Sequence, residues 1–249
     1  MKINIEKDEQ AFDLAAADRI ACQLKQKPNS VVGLSTGRTT GNMHRLVVWR
    51  YSNQPFDVSS ATFFGLDEIT GVSRSYSGAC YTMLKNEIID GLGIDENHFL
   101  MLPTESEDIQ AECRRFVEEL QRRGGIDLLI LGLGENGHVG FNQPGTPFDS
   151  TVGTGSMDQA LESRIRKETR LPADHPIGGV TLGISDIMQA RHIVLVVKGK
   201  AKAEIVKRVL QGPVTTDIPA SILQQHPNCE VLLDAEAASS LLPSNENHR

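Results

Sequence analysis

The sequence predicts an α/β fold: one Rossmann-like domain with a mostly parallel central sheet flanked by helices. Three observations predict it. Short apolar runs rich in β-branched residues, such as SVVGLS, IDLLIL and HIVLVV, lack the in–out alternation of a half-exposed sheet, so they read as strands buried on both faces. Between them lie stretches with apolar residues at three-to-four spacing, the pattern of amphipathic helices. The two patterns alternate along the chain with no internal repeat and no linker, so one domain is expected over residues 1–243, followed by a polar tail at 244–249.

Taken in order, DEQAFDLAAADRIACQLKQK places Phe12, Ala15, Ala16, Ile20 and Leu24 at helical spacing. SVVGLS is the first strand, followed by a Gly/Thr loop and the apolar-periodic NMHRLVVWRY. SATFFGLDE is read as a second strand. YTMLKNEIIDGL is a helix ending near Gly91 or Gly93, and NHFLML is a third strand. SEDIQAECRRFVEELQRRGG is an amphipathic helix with Ser106 as N-cap and Gly124 as its stop. IDLLILGLG is the fourth strand. The segment 145–178 reads as long and irregular, and loops of that length are often lids, so it is expected to close over the cleft. GVTLGISDIMQA, the strand HIVLVVKG, the helix KAKAEIVKRVLQG, the strand CEVLLD and a short helix complete the chain.

The net charge of −7 argues against a broad nucleic-acid footprint, but a few local donors can still hold a small anion. The charged N-terminus lacks a signal-peptide core, and no run of 18 apolar residues could span a membrane. Cys22, Cys80, Cys113 and Cys229 are far apart without a CxxC pattern, and read as reduced, buried residues of a cytoplasmic protein.

In a parallel sheet, ligands bind beyond the carboxyl ends of the strands, here the loops after Leu34, Leu66, Leu131 and Val197. STGRTTG follows the first strand and opens a helix. Its glycines can aim backbone N–H groups at one point, and Arg38 adds a full charge, so the loop suits a phosphate monoester or serves simply as a capped connection. In GLDEITG, Asp67 and Glu68 point to opposite sides of a strand, so only one need face the cleft as a general base. LGLGENGHVGFNQPG contains G-x-G-x-x-G, yet it starts about 130 residues into the chain and continues into Pro144 and Pro147, which bar the helix that a dinucleotide site requires. Its glycines instead form a tight loop presenting Asn136, His138 and Gln143, with His138 suited to proton transfer near neutral pH.

STGRTT, FGLDE and LGLGENGHVGFNQPG, in this order and spacing, resemble the glucosamine-6-phosphate deaminase/isomerase family, including its galactosamine-6-phosphate isomerase branch, whose fold is shared with the 6-phosphogluconolactonases. The resemblance covers roughly residues 8–240, and GHVGFNQPG is its most specific part. It implies conversion of a hexosamine 6-phosphate to a ketose 6-phosphate plus ammonia, without cofactor or metal. It implies Asp67 as the base moving a proton between C2 and C1, and His138 as the ring-opening residue. Ser35, Thr36, Gly37, Arg38 and Thr39 are then the phosphate loop, joined by Lys202 and by Arg164 or Arg166, of which Arg166 is preferred. The best-known deaminases carry Asp and Glu where Asn136 and Gln143 stand, so His138 is expected to stay neutral to lower pH here. A lactonase-like hydrolase and a non-catalytic sugar-phosphate-binding regulator are the alternatives. The expected partner is a small hexose or hexosamine 6-phosphate, not nucleic acid or membrane, and assembly into a homo-oligomer is left open.

Overall fold

The computed structural model describes residues 1–241. In chain order its elements are β1 (Lys2–Glu6), α1 (Glu9–Gln26), β2 (Val31–Leu34), α2 (Gly41–Asn53), β3 (Thr62–Gly65), β4 (Asp67–Thr70), α3 (Cys80–Leu84), a π-helical turn (Lys85–Ile89), α4 (Asp90–Leu92), β5 (Phe99–Leu100), α5 (Ile109–Arg122), β6 (Leu128–Gly132), β7 (Gly153–Gly155), α6 (Gln159–Thr169), β8 (Gly178–Thr181), α7 (Ile184–Ile187), β9 (Ile193–Val197), α8 (Ala203–Gln211) and β10 (Cys229–Asp234).

Seven strands form one parallel sheet in the order β1-β10-β9-β6-β2-β3-β5. Strand alternation splits its side chains between two cores. Val32, Leu34, Phe63, Leu128, Ile130, Val194, Val196 and Leu232 pack against α1 and α2 through Phe12, Ile20, Leu24, Met43 and Val47. Phe64, Leu129, Leu131, Leu195, Val231 and Leu233 face Phe116 and Leu120 of α5 and Val206 and Val209 of α8. Gly33 is required between these layers, because a Cβ there would lie 2.3 Å from Phe64 Cζ and 2.4 Å from Leu129 Cδ1. From β2 the chain winds outward through β3 to β5, then returns at β6 and winds the other way. The order therefore reverses between β2 and β6, and the loops leaving those two strands diverge around a crevice.

The mostly parallel sheet and its flanking helices match the expectation, with several differences in detail. SATFFGLDE is two strands, not one. Leu66 takes the chain out of the large sheet, its N–H donating to Leu34 O (3.0 Å) and its carbonyl accepting from Leu182 N (3.0 Å). Asp67 then begins a second, three-stranded antiparallel sheet, β4-β8-β7, which the sequence pattern did not signal. The segment 145–178 is not irregular, since it carries β7 and the three-turn α6, whose Ile165 is fully buried with Ile69, Val72 and Phe141. The N-terminal Lys2–Glu6 is an edge strand paired to β10. NHFLML supplies only the two-residue β5. Asp108, rather than Ser106, caps α5 by accepting from Ala111 N (2.9 Å), and Ser106 Oγ accepts from Asp108 N one step earlier. The helix stops before Gly124, whose φ of +106° ends the turn as expected. Cys22 is exposed, and the other three cysteines are buried. Residues 242–249, and with them the polar tail expected at 244–249, lie outside the described residues. Among the described residues, no helix is long and apolar enough to cross a membrane.

Candidate functional site

The loops that leave β2 and β6 are stitched together at their start. Ser35 is buried, its N–H donates to Ile130 O (3.2 Å), and its Oγ accepts from Gly132 N (3.0 Å). Ser35 therefore anchors the loop. Gly37 holds φ at +130°, a conformation side chains rarely adopt, and its carbonyl accepts from Thr40 N and Gly41 N at 3.2 Å. The turn delivers the chain into α2, whose positive N-terminal end lies at the same loop. Arg38 is exposed and Thr36 and Thr39 are half-buried. Thr36 Oγ1 turns inward and donates to Cys80 Sγ (3.2 Å).

Asp67 and Glu68 diverge as strand geometry requires. Glu68 is fully buried and accepts three backbone N–H groups, from Ile69 (2.8 Å), Cys80 (2.8 Å) and Tyr81 (2.7 Å), so it fastens β4 to the start of α3. Asp67 keeps partial solvent contact, and its Oδ1 accepts only a long contact from the Cys80 thiol (3.6 Å). Burial, followed by the charge of Glu68, pushes the Asp67 carboxyl up to about 7, against the opposing pull of the thiol. A carboxyl that titrates there exchanges a proton readily at neutral pH.

The loop after β6 brings His138 toward the same place. Gly137 (φ +90°) and Gly140 (φ +56°) both need the left-handed region. A Cβ on Gly140 would sit 2.5 Å from Thr181 Oγ1 and 3.6 Å from Asp67 Oδ2, so glycine lets this loop lie directly against the carboxylate. The His138 ring packs over Gly134, whose N–H donates to His138 O (2.9 Å). Asn136 Oδ1 accepts from the His138 backbone N–H (3.1 Å), which fixes which end of the amide is oxygen. The same oxygen lies 2.7 Å from His138 Nδ1, so Nδ1 must carry the proton and Nε2 presents a lone pair. Asn136 Nδ2 in turn donates to Gln143 Oε1 (3.0 Å). The relay Gln143–Asn136–His138 is uncharged throughout. Burial lowers the His138 pKa, Lys202 lowers it further, and Asp158 opposes both.

Lys202 ends the short 3-10 helix Lys200–Lys202 after β9. Burial lowers its pKa, with Arg38 acting in the same direction and Glu135 and Asp158 against it, so Arg38, Lys202, Glu135 and Asp158 share one electrostatic neighbourhood. Asp158 caps α6 by accepting from Leu161 N (2.7 Å), which puts the start of that helix near His138 and Lys202. Arg166 is engaged elsewhere: its guanidinium bonds Glu162 Oε1 (2.7 Å) and the carbonyls of Pro172 (2.8 Å) and His175 (2.9 Å), tying α6 to the turn behind it. Arg164 is exposed. An open cleft of about 980 Å³ lies between residues 71–76, 103–105 and 169–175, but its lining contains none of the candidate site residues. Among the described residues no His, Cys, Asp or Glu cluster is arranged to hold a metal ion.

The sequence profile of the family described as glucosamine-6-phosphate isomerases/6-phosphogluconolactonase matches residues 7–232. The chain belongs to this family. It is 37% identical over 217 residues to a glucosamine-6-phosphate deaminase of Lysinibacillus sphaericus (strain C3-41), covering 87% of this chain and 92% of that protein. A glucosamine-6-phosphate deaminase of Clostridium botulinum (strain Kyoto / Type A2) is 35% identical over 242 residues, covering 97% of this chain and 99% of the relative. A solved monomeric glucosamine-6-phosphate deaminase superposes with a TM-score of 0.89 at 30% identity, covering 96% of this chain and 100% of that one. A 6-phosphogluconolactonase of Trypanosoma brucei shares the fold with a TM-score of 0.77 at 20% identity, covering 96% and 98% of the two chains.

Within this glucosamine-6-phosphate isomerase/6-phosphogluconolactonase fold, three residues of the neighbourhood had no separate signal in the sequence. Cys80 reaches Asp67 only because β4 and α3 are folded back on Glu68. Gly140 serves close approach to Asp67, which loop composition alone does not announce. Asp158 lies in a segment whose pattern reads as irregular, so its place near His138 and Lys202 emerges only with α6, which it caps.

Proposed function

We propose that the protein is an amino-sugar-phosphate deaminase/isomerase, converting a 2-amino-2-deoxyhexose 6-phosphate and water to a ketose 6-phosphate and ammonia. The observation that carries this reading is the pairing of a carboxyl raised to about 7 with a histidine whose Nε2 is unprotonated, both beside an anion-suited loop. In this reading the loop Ser35–Thr39 and Lys202 take the phosphate, and Arg38 adds charge from the rim. His138 Nε2 accepts the sugar O1 proton and passes it to the ring oxygen, opening the ring. Asp67 removes the C2 proton and returns it to C1 while O1 takes up a proton given up by the amine, which leaves a C1 hydroxyl and turns the C2 amine into an imine. Water adds to C2, the C–N bond breaks and ammonia leaves, so the net reaction is hydrolysis of a C–N bond. The four cysteines form no disulfide, which supports placing the enzyme in the cytoplasm.

The uncharged relay favours one second reading. A neutral histidine can also activate water against a 6-phosphosugar lactone, a reaction that needs no carboxylate beside it. One panel tests both readings: glucosamine- and galactosamine-6-phosphate assayed for ammonia and ketose phosphate, and a 6-phosphogluconolactone assayed for hydrolysis, each with Asp67→Asn and His138→Ala. Ammonia and ketose release dependent on Asp67 is expected. Lactone hydrolysis that survives Asp67→Asn, without ammonia from either amino sugar, would replace the proposal with the second reading.

A further inference from the structure

We propose that Cys80 is a positioning residue for Asp67: its thiol donates to one carboxylate oxygen and accepts from Thr36, joining the proposed base to the phosphate loop. This rests on the reading of Asp67 as the base. The direction of each bond follows from chemistry. A carboxylate only accepts, so the S–H must point at Asp67 Oδ1 (3.6 Å), and the sulfur is left to accept the Thr36 hydroxyl proton (3.2 Å). The thiol is held there from its own backbone. The Cys80 N–H donates to Glu68 Oε1 (2.8 Å) at the first residue of α3, and the residue is 4% exposed. Adjacent carboxylates therefore grip the same cysteine, Glu68 by its N–H and Asp67 by its S–H.

The contact has two consequences. It sets the distance between the loop that would hold the substrate phosphate and the carboxylate that would face C1 and C2, so phosphate binding orients the reacting carbons. It also supplies a hydrogen bond to the ionised form of Asp67, opposing burial and the Glu68 charge. The other neighbours of Asp67 carry no charge: Thr181 lies opposite it on β8, and Gly140 abuts it from the His138 loop. Arg74 acts on Glu68, and the Cys80 thiol itself stays protonated because burial and the two carboxylates raise its pKa.

The test uses the full chain with Cys80→Ala and Cys80→Ser. The pH dependence of kcat/KM is measured with the hexosamine 6-phosphate that turns over. In parallel, Asp67 is titrated by NMR in protein labelled at aspartate carboxyl carbons and assigned by its loss in Asp67→Asn. In Cys80→Ala, both the acid limb and the NMR midpoint should move up by about 0.5 to 1 pH unit, equivalent to roughly threefold to tenfold lower kcat/KM on that limb. Cys80→Ser should return both toward wild type. A midpoint in Cys80→Ala that is unchanged or lower overturns the proposal, whatever happens to thermal stability. If wild type turns over no hexosamine 6-phosphate, the assigned function fails, while the NMR midpoints still decide whether the thiol holds Asp67.

Discussion

Asp67→Asn should sharply reduce turnover and at the same time stabilise the folded protein above neutral pH. The substitution keeps the shape of the side chain and removes its charge. A carboxyl that ordinarily titrates near 3.8 is raised to about 7 by the fold. Three pH units at about 1.36 kcal/mol each make a ceiling of ~4 kcal/mol. Because Asp67 keeps partial solvent contact and titrates beside Glu68, about half of that, ~2 kcal/mol, is the working value. The sign follows from linkage. At pH 8 the carboxylate is ionised in both folded and unfolded chains, and only the folded chain bears the cost of burying it. As pH falls from 7 toward 4, the folded chain takes up a proton that the unfolded chain does not, and the destabilisation fades. Thermal unfolding followed by circular dichroism should therefore place Asp67→Asn about 4 to 8 °C above wild type at pH 8 and close to it at pH 4.5. Activity should fall by about 10²-fold or more. A variant no more stable than wild type at pH 8, or equally shifted at both pH values, refutes the assignment of a buried, destabilised carboxylate.

Three further outcomes follow. Asn136→Asp puts a carboxylate 2.7 Å from His138 Nδ1 and should raise the His138 pKa by about 1 to 2 units, read by NMR of the ring carbons; an unchanged titration would contradict the relay. Arg166→Ala should lower thermal stability by about 1 kcal/mol through loss of the Glu162, Pro172 and His175 bonds while leaving KM for the sugar phosphate in place; a large rise in KM with stability intact would return Arg166 to the phosphate site. Under the proposed reaction Asp67 and His138 both start unprotonated, so kcat/KM should rise with pH toward a plateau above about pH 8, with an acid limb that steepens below the range where His138 begins to protonate. A bell-shaped profile that falls again above about pH 7 would show that one of the two acts as a standing acid.

Much of this was legible in the sequence for physical reasons that can be named. Strands buried on both faces leave uninterrupted apolar runs, so IDLLIL and HIVLVV declare a parallel sheet, and a parallel sheet dictates where loops such as STGRTTG open. Three kinds of feature were not legible. The second sheet was hidden because β4, β7 and β8 are three or four residues each, with glycine at several positions, so they leave no alternation to read. The early N-terminal strand was hidden because Ile3 and Ile5 remain exposed at the sheet edge. The side-chain partners were hidden because hydrogen bonds such as that from Cys80 to Asp67 join residues whose proximity depends on the fold rather than on spacing.

The pair Asp67–Glu68 shows why such partners matter to the chemistry. On a strand, adjacent side chains separate, so Glu68 can be buried among amides while Asp67 keeps partial solvent contact. Yet Glu68 still acts on its neighbour in two opposed ways. Its charge raises the Asp67 pKa, and by fastening the start of α3 it brings in the thiol that lowers it. Burial and the Glu68 charge together raise the Asp67 carboxyl to about 7, and the thiol opposes them. His138 reaches a complementary state by a different route, because Asn136 fixes its tautomer without lending it charge. A histidine so held cannot store a proton cheaply. Under the proposed reaction it must pass the O1 proton straight to the ring oxygen, so ring opening becomes the step most sensitive to the residues at 136 and 143.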